Sequence, residues 1–539
     1  MEAVEERFEF NLVDEPWVPV RLLDGSTCEL GLGDTLVRAH ELAGLDIEFP
    51  TQEPALLRLL LAVCYRALNG PVDDAAWDAL WRAEALPEAA FTSYLGRWRT
   101  RFDLFSPDAP FFQAPGLEPA GKGGIKPANK LIAHAPTGHN VPLFTPVTDA
   151  TAQPLRPAEA ARWMIERHAW GTAADKTGAA GNPRVKGGND TPPLGYLGWI
   201  GFVAPIGRTL RETLLLNLVP RSRTGLVATG PDDLPAWERP PSGPERVERP
   251  PSGVCDLFTW QGRRIRLFPE RYDGEILVPR VLVCAGDDVQ RDAVRTVDPH
   301  TGWRVSKQRD GTLAYLPAKP GVGQQVWRGL SALLALEEGS QRAGVLSWVA
   351  ALEDRGVSVV SLLVTAAEFG SMSTTLDDLL ADRLDAAVAI LRTGDLEAAT
   401  LAGDAAAFAE RAARALWQVA YGPFLSYDEE RGRYAVPEGR TDAARGAREA
   451  IAEEFFSELD APFRRFLVDL ATPGFMEVGR RSWADQVTAL ARALAGRHLA
   501  QLSAANAFTG AEADRLFRRA LRAARSTFDP TAEPKGAVA

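Results

Sequence analysis

The sequence predicts a mixed α+β protein: a large α/β N-terminal domain interrupted by long irregular loops, followed by a C-terminal helical bundle of the four-helix type. Three observations predict it. The 539 residues exceed what one ordinary core encloses, so two or more domains are expected. Up to residue 375 the apolar pattern switches between strand-like alternation and helical spacing, broken by Gly/Pro-rich stretches. From 376 onward, Ala-, Leu- and Arg-rich stretches repeat with helical periodicity in roughly four to six segments. The division is therefore placed at 1–375 and 376–539.

Each element follows in order. "FEFNLVDEPWVPVRLLDGSTCELGL" alternates apolar and polar residues around Asp24-Gly25, a hairpin signal. "TQEPALLRLLLAVCYRALNG" reads as a helix capped by Thr51, with Pro54 in its first turn and Gly70 beyond its end. Helical stretches near 73–84 and 88–102 carry Trp77, Trp81 and Trp98 at core-like spacing. From 105 to 147 the density of Pro and Gly forbids a long helix, and loops of such length tend to be functional or disordered. "RPAEAARWMIERHAW" is an amphipathic helix leading into "WGTAADKTGAAGNPRVKGGN", after which "YLGWIGFVAPIGRTLRETLLLNLV" returns to buried structure. The hexapeptide ERPPSG occurs twice, at 238–243 and 248–253, and reads as an extended surface linker. "DLFTWQGRRIRLFPERYDGEILVPRVLVCAGDD" alternates like two or three strands, and a further irregular stretch precedes a helix beginning near Gly323.

Composition narrows the function. A hydrophobic content of 46% with 24% charged residues is that of a soluble globular protein. The net charge of −11 argues against a non-specific polyanion binder but does not exclude a local basic patch. No run of ~18 apolar residues marks a membrane span. The acidic start "MEAVEERFEF" lacks the apolar core of a secretory signal, so a cytoplasmic location is expected. Cys28, Cys64, Cys255 and Cys284 share no CxxC spacing and the six histidines are scattered, so neither a metal site nor a disulfide framework is expected.

Lysine usage is more pointed. Eight lysines stand against 52 arginines, and seven of the eight fall in three Gly/Pro-rich segments, 122–130, 176–186 and 307–319. A compositional bias that turns lysine into arginine wherever the two are interchangeable leaves lysine where a compact, flexible point charge is needed. These segments are either tolerant exposed loops or places where an anion is touched. Over 480–525 nine arginines face three acids, and Arg515, Arg518, Arg519 and Arg522 share one helix face. A solvated face is the usual meaning of such a stripe; a track for a phosphate backbone, with Arg480 and Arg481 nearby, is the sharper one.

The loop after Trp170 nearly spells a phosphate-binding loop. A Walker A motif needs G-x-x-x-x-G-K-[ST] between a strand and a helix. Here Asp175 occupies the glycine position before Lys176-Thr177, the spacing is one residue short, and the lead-in is helical. A carboxylate at that point would repel phosphates. No GxSxG elbow, no HExxH and no pointed Cys/His pair is present, so no enzymatic chemistry and no cofactor are expected.

Several separated motifs carry a resemblance: "FNLVDEPWVPV" at 10–20, "NKLIAHAPTGHNVPLF" at 129–144, the Gly/Lys loop 171–189, "DLFTWQGRRIRL" at 256–267 and "DPHTGWRVSKQ" at 298–308, followed by the helical C-terminal region. In this order the chain resembles the CasA-type large subunit of Cascade, the type I-E CRISPR surveillance complex. The resemblance implies a non-enzymatic subunit that joins guide RNA and the backbone and small subunits of the complex. It also implies recognition of a protospacer-adjacent motif (PAM) in double-stranded DNA, a start to strand separation and recruitment of a helicase–nuclease; the guide reads the remaining sequence.

The resemblance also implies residue roles. A glycine loop that meets the minor groove falls on Gly171, Thr172 and Ala173, with Lys176 beside it. A lysine finger falls on Lys307, followed by Gln308. A loop near the RNA end and the PAM falls on Lys130, His134 and Asn140. The wedge that splits the first base pair falls on Ser371 and Met372, where relatives carry glutamine. Methionine can serve as an apolar wedge but cannot hydrogen-bond a separated base as an amide does. Two other classes remain: a nucleotide-dependent enzyme using Gly171–Lys176, and a structural scaffold whose loops contact partner proteins.

Overall fold

The computed structural model describes residues 7–135, 149, 151–308, 311–392, 394, 396–428, 433–502 and 507–530. The chain forms two compact units. One comprises residues 1–323, 338–349 and 361–383, the other residues 324–337, 350–360 and 384–539. The change of character expected at 376 coincides with the start of the strand Leu376–Ala387, and the first long bundle helix begins at Glu397.

In the first unit, the strand Val18–Leu22 lies between Thr27–Leu30 and Leu42–Leu45. The turn at Asp24-Gly25 closes the first hairpin, with Gly25 at φ +89° and Asp24 Oδ1 accepting from the Ser26 N–H at 2.9 Å. The helix Gln52–Ala67 follows, but Thr51 does not cap it. Its hydroxyl donates instead to Glu166 Oε1 at 2.8 Å, because that buried carboxyl has no solvent to serve it. The expected helices are Asp74–Arg82 and Glu88–Trp98, and of their three tryptophans Trp77 is fully buried.

Pro157–Trp170 departs from an amphipathic design: every residue but Glu159 is buried. A helix enclosed on all sides must satisfy its charges internally. Arg162 donates to the Trp17 carbonyl and to Glu29 at 2.8 and 2.7 Å, and Arg167 pairs with Asp175. Beside it runs the long hairpin Arg263–Tyr272 with Glu275–Ala285, edged by Lys126–Pro127. A third sheet is ordered Leu376–Ala387, Val359–Phe369, Phe202–Ile206.

The doubled ERPPSG segment is not a free linker. Glu248–Arg249 pairs in parallel with Asp288–Val289, Arg249 grips Asp256 at 2.6 and 2.9 Å, and Arg246 bridges Asp190 and Asp288. Proline removes ladder donors, so the segment is held by arginine side chains more than by backbone.

In the second unit the helices Glu397–Tyr421, Thr441–Asp469, Phe475–Ala500 and Ala507–Phe528 enclose an aromatic core. Trp327 stacks on Phe463 at 4.3 Å, Phe408 stacks on Phe528 at 4.9 Å, and Trp483 donates to the Ala405 carbonyl at 3.0 Å. Among the described residues no helix is long and apolar enough to cross a membrane.

Candidate nucleic-acid interface

The helix Pro157–Trp170 ends on Gly171, whose N–H donates to the Arg167 carbonyl at 3.1 Å. The loop 171–176 thus starts from a helix C-terminus, where carbonyls and partial negative charge gather. A phosphate cradle needs the opposite end of a helix. The phosphate-loop reading fails on polarity as well as on sequence.

Asp175 explains the loop's shape. Its side chain is fully buried, and its carboxylate meets Arg167 at 2.5 and 3.0 Å, Arg263 Nε at 3.1 Å and Lys130 Nζ at 3.2 Å. Burial opposes ionisation, but Arg167, Lys130 and Arg263 override it and hold the carboxyl well below the usual range. Arg263 spends its remaining donors on backbone. Nη2 reaches the carbonyls of Gly171, Thr172 and Pro193 at 2.7, 2.9 and 3.1 Å, and Nη1 that of Gly262 at 2.7 Å. The planar fork of a guanidinium suits such multiple binding where an ammonium does not.

In the sequence Asp175 shows only why a phosphate would be repelled at this point, not what the carboxylate meets. It faces three cations. The signal that could have revealed it was the paired arginine in "GRRIRL" together with an acid in an otherwise small-residue loop.

The loop's exposed side differs from its glycine. Gly171 is buried, and a Cβ there would lie 2.5 Å from the Arg167 carbonyl and 2.9 Å from Arg263 Nη2. Ala173 is buried too, and its N–H donates to the Ser373 carbonyl at 2.8 Å. Thr172 and Ala174 are half-buried and Lys176 is exposed, so these three form the outer side of 171–176.

Ser373 belongs to the turn 370–375 that follows the strand Val359–Phe369. The Gly370 N–H donates to the Thr375 carbonyl at 3.0 Å and the Ser373 N–H to the Gly370 carbonyl at 2.9 Å. These two bonds close the turn and throw Met372 outward, 80% exposed at φ +55°, beside the exposed Ser371. Ser373 sits at φ +54°. Two successive non-glycine residues in the left-handed region mark stored strain of the kind found at working sites.

Lys130 lies in the short turn Ala128–Leu131, its ammonium drawn inward by Asp175. His134 is exposed on one side and stacks on Phe49 at 4.9 Å. Asn140 lies outside the described residues. Lys307 ends the strand Trp303–Lys307, paired opposite Leu313, and Gln308 begins the hairpin tip with its N–H on the Thr312 carbonyl at 2.8 Å; both are exposed. Lys319 is not available to an anion: its ammonium donates to the carbonyls of Gly198, at 3.0 Å, and Ala367. Those bonds fix the base of the Lys307 hairpin to the strand that leads into the Met372 turn.

In the second unit the arginine stripe divides. Arg515 pairs with Glu512 and Arg518 with Asp514, both within their own helix. Arg480 turns onto Phe528, donating to its carbonyl at 2.9 Å, and Arg481 lies 3.7 Å from Glu477. Arg519 and Arg522 are exposed and have no acidic partner among the described residues. Arg522 also edges a cleft of about 420 Å³ lined by Thr488, Arg492, Phe517, Arg518 and Arg525. The structure thus brings together Lys130, the loop 171–176 and the turn 371–373. It sets Lys307 and Gln308 on a separate hairpin of the same unit and the six arginines in the other unit.

Comparison with known proteins follows the same plan. The chain is similar over 98% of its length to the crystal structure of CRISPR-associated protein Cse1 from Acidimicrobium ferrooxidans, covering all of that chain at 56% identity and a TM-score of 0.91. A curated relative, CRISPR-associated protein CasA/Cse1 of Thermus thermophilus, is 37% identical over 273 residues, 48% of this chain; the match spans about half (49%) of the relative's own length. A chain of a CRISPR RNA-guided surveillance complex shares the fold at a TM-score of 0.69 and 20% identity, with 97% of this chain and 100% of that one covered. The model of the family described as CRISPR-associated protein Cse1 matches residues 11–494, and the chain belongs to that family.

Proposed function

We propose that this chain is the duplex-reading large subunit of an RNA-guided surveillance complex, without catalytic chemistry of its own. In this reading it joins guide RNA and the backbone and small subunits, reads a short PAM through the minor groove, begins strand separation and presents the opened target to a helicase–nuclease. The carrying observation is the bond from the Ala173 N–H to the Ser373 carbonyl. It joins the loop whose outer side is Thr172, Ala174 and Lys176 to the turn that exposes Met372. A reader and a wedge must lie side by side, since the pair to be opened is next to the motif that is read.

Each part suits its task. The minor groove is about 6 Å wide and presents acceptors at A·T edges, which a thin ammonium stem such as Lys307 enters more freely than a guanidinium. The short side chains of Thr172 and Ala174 on the loop's outer side let it come close to the groove floor. Met372 supplies an apolar wedge between base steps. Arg519 and Arg522 suit backbone phosphates.

The test is the reconstituted complex with Lys307→Ala, measured by gel shift on guide-matched duplexes that differ only in the flanking trinucleotide. Binding to the preferred duplex weakens while binding to the single-stranded target stays within about twofold, because only the duplex presents a minor groove. Equal loss on both substrates would refute the assignment. The nucleotide-enzyme reading has no support in the site, since Asp175 and the helix C-terminus both disfavour phosphate.

A further inference from the structure

We propose that Asp175 is a positioning residue that makes the loop 171–176 and the turn 370–375 one mechanical unit, so that reading the motif and opening the first base pair are coupled. The inference rests on the duplex-reading assignment above, and names the residue that sets its geometry.

A chain of contacts carries it. The Asp175 carboxylate holds Arg167 from the preceding helix and Arg263 from the long hairpin. It also draws in Lys130 from the segment 128–131. Arg263, fixed by that carboxylate, clamps the carbonyls of Gly171 and Thr172 and, across the gap, that of Pro193. The Gly195 N–H closes the other side onto the Gly171 carbonyl at 2.8 Å. With residues 171 and 172 held from beneath, the Ala173 N–H donates to the Ser373 carbonyl at 2.8 Å, in the turn whose tip is Met372.

The arrangement is asymmetric in a useful way. Asp175 is the sole anion that meets Arg167, Arg263 and Lys130 together among the described ion pairs. Removing it leaves three cations crowded in a buried space, with their mutual repulsion directed at the loop. A displacement at Lys130 or at the 171–176 backbone is passed to residue 373 through one hydrogen bond, and residue 373 already stands in a strained conformation that a small push can tip.

Asp175→Asn keeps the shape and removes the charge. On the free full-length chain, amide hydrogen exchange is expected to rise together in 171–176 and in 370–375; a rise confined to the first segment overturns the coupling whatever the duplex result. In the reconstituted complex, preference among flanking trinucleotides is expected to shrink about 10-fold, the scale of ordinary coupling between sites. Opening of the first base pair, followed with 2-aminopurine, is expected to slow in parallel, while single-stranded target binding holds. Equal loss on single strand and all duplexes would mean a merely structural role and overturns the proposal.

Lys307→Ala run alongside separates the two claims. If it lowers trinucleotide preference and Asp175→Asn does not, the coupling fails alone; if neither does, the duplex-reading assignment fails and the coupling with it. Should the Asp175 variant not assemble, Lys130→Met removes a single partner and leaves Arg167 and Arg263 in place. It is expected to move preference and opening in the same direction by less, and unchanged values overturn the proposal.

Discussion

Gly171→Ala separates two reasons for a glycine at the head of the 171–176 loop. A glycine that serves the DNA groove can become alanine at no cost to the free protein. A glycine that serves the interior cannot. The backbone there, φ −51° and ψ 135°, suits any residue, so no torsional penalty is involved. The obstacle is contact: the new Cβ would stand 2.5 Å from the Arg167 carbonyl oxygen, 2.9 Å from Arg263 Nη2 and 3.0 Å from Arg263 Cζ. An unstrained approach is about 3.5 Å, so the carbonyl or the loop must retreat by roughly 1 Å. Arg263 belongs to the buried Asp175 cluster, and its movement lengthens bonds that hold Gly171 and Thr172. Overpacking of this kind costs about 1–3 kcal/mol, and weakening one buried hydrogen bond adds about 1 kcal/mol. In a unit larger than 250 residues each kcal/mol lowers the melting temperature by about 2 °C, so a fall of about 4–8 °C is expected. Thermal unfolding of the free chain by tryptophan fluorescence measures it, with no nucleic acid present. Thr172→Ala, half-buried, is the control and should shift the transition by less than about 1 °C, as surface changes do. A Gly171→Ala chain that melts with the parent would refute the internal role and return the glycine to the groove.

Two further outcomes follow from the same geometry. Met372→Gly relieves a left-handed conformation worth about 1 kcal/mol while adding similar freedom to the unfolded chain, so stability should change by less than about 1 kcal/mol. Opening of the first base pair, followed with 2-aminopurine in stopped flow, should nonetheless slow; unchanged opening would remove Met372 from the wedge. Replacing Arg519 and Arg522 with glutamine should lower the slope of log K against log salt by about 1–2 in the reconstituted complex, whereas replacing the ion-paired Arg515 and Arg518 should do less. Equal slopes for both pairs would show that the intrahelical partners do not matter.

Much of the fold was legible because period and punctuation speak locally. Asp24-Gly25 marked its hairpin, the ladder of alternation from Arg263 to Ala285 marked the long strands, and the Ala-rich periodicity marked the bundle helices. The failures share one cause, which is partnership across distance. Nothing near Thr51 says that Glu166, 115 residues later, will claim its hydroxyl. The helix Pro157–Trp170 looked amphipathic because Arg162, Glu166 and Arg167 are charged, yet each is neutralised or hydrogen-bonded inside. The ERPPSG repeat looked extended because prolines cannot build a ladder, but Arg246 and Arg249 fasten it. Counting lysines marked Lys130, Lys176, Lys307 and Lys319 alike; it could not show that the charge of Lys319 is consumed by two carbonyls.

The residue that spoiled the phosphate-loop reading is the one that fastens the loop 171–176 from beneath. With glycine at 175 and a helix beginning after it, backbone N–H groups would face outward and gather an anion. With aspartate at 175 and a helix ending before it, the polarity inverts: a buried anion gathers Arg167, Arg263 and Lys130 beneath the loop, and the carbonyls of Gly171 and Thr172 are consumed from below. The outer side is then left with Thr172, Ala174 and the exposed charge of Lys176. A loop fastened in this way cannot reshape itself around a small ligand. It can offer one fixed profile to a rigid partner, and a DNA duplex is rigid over the few base pairs such a loop can span.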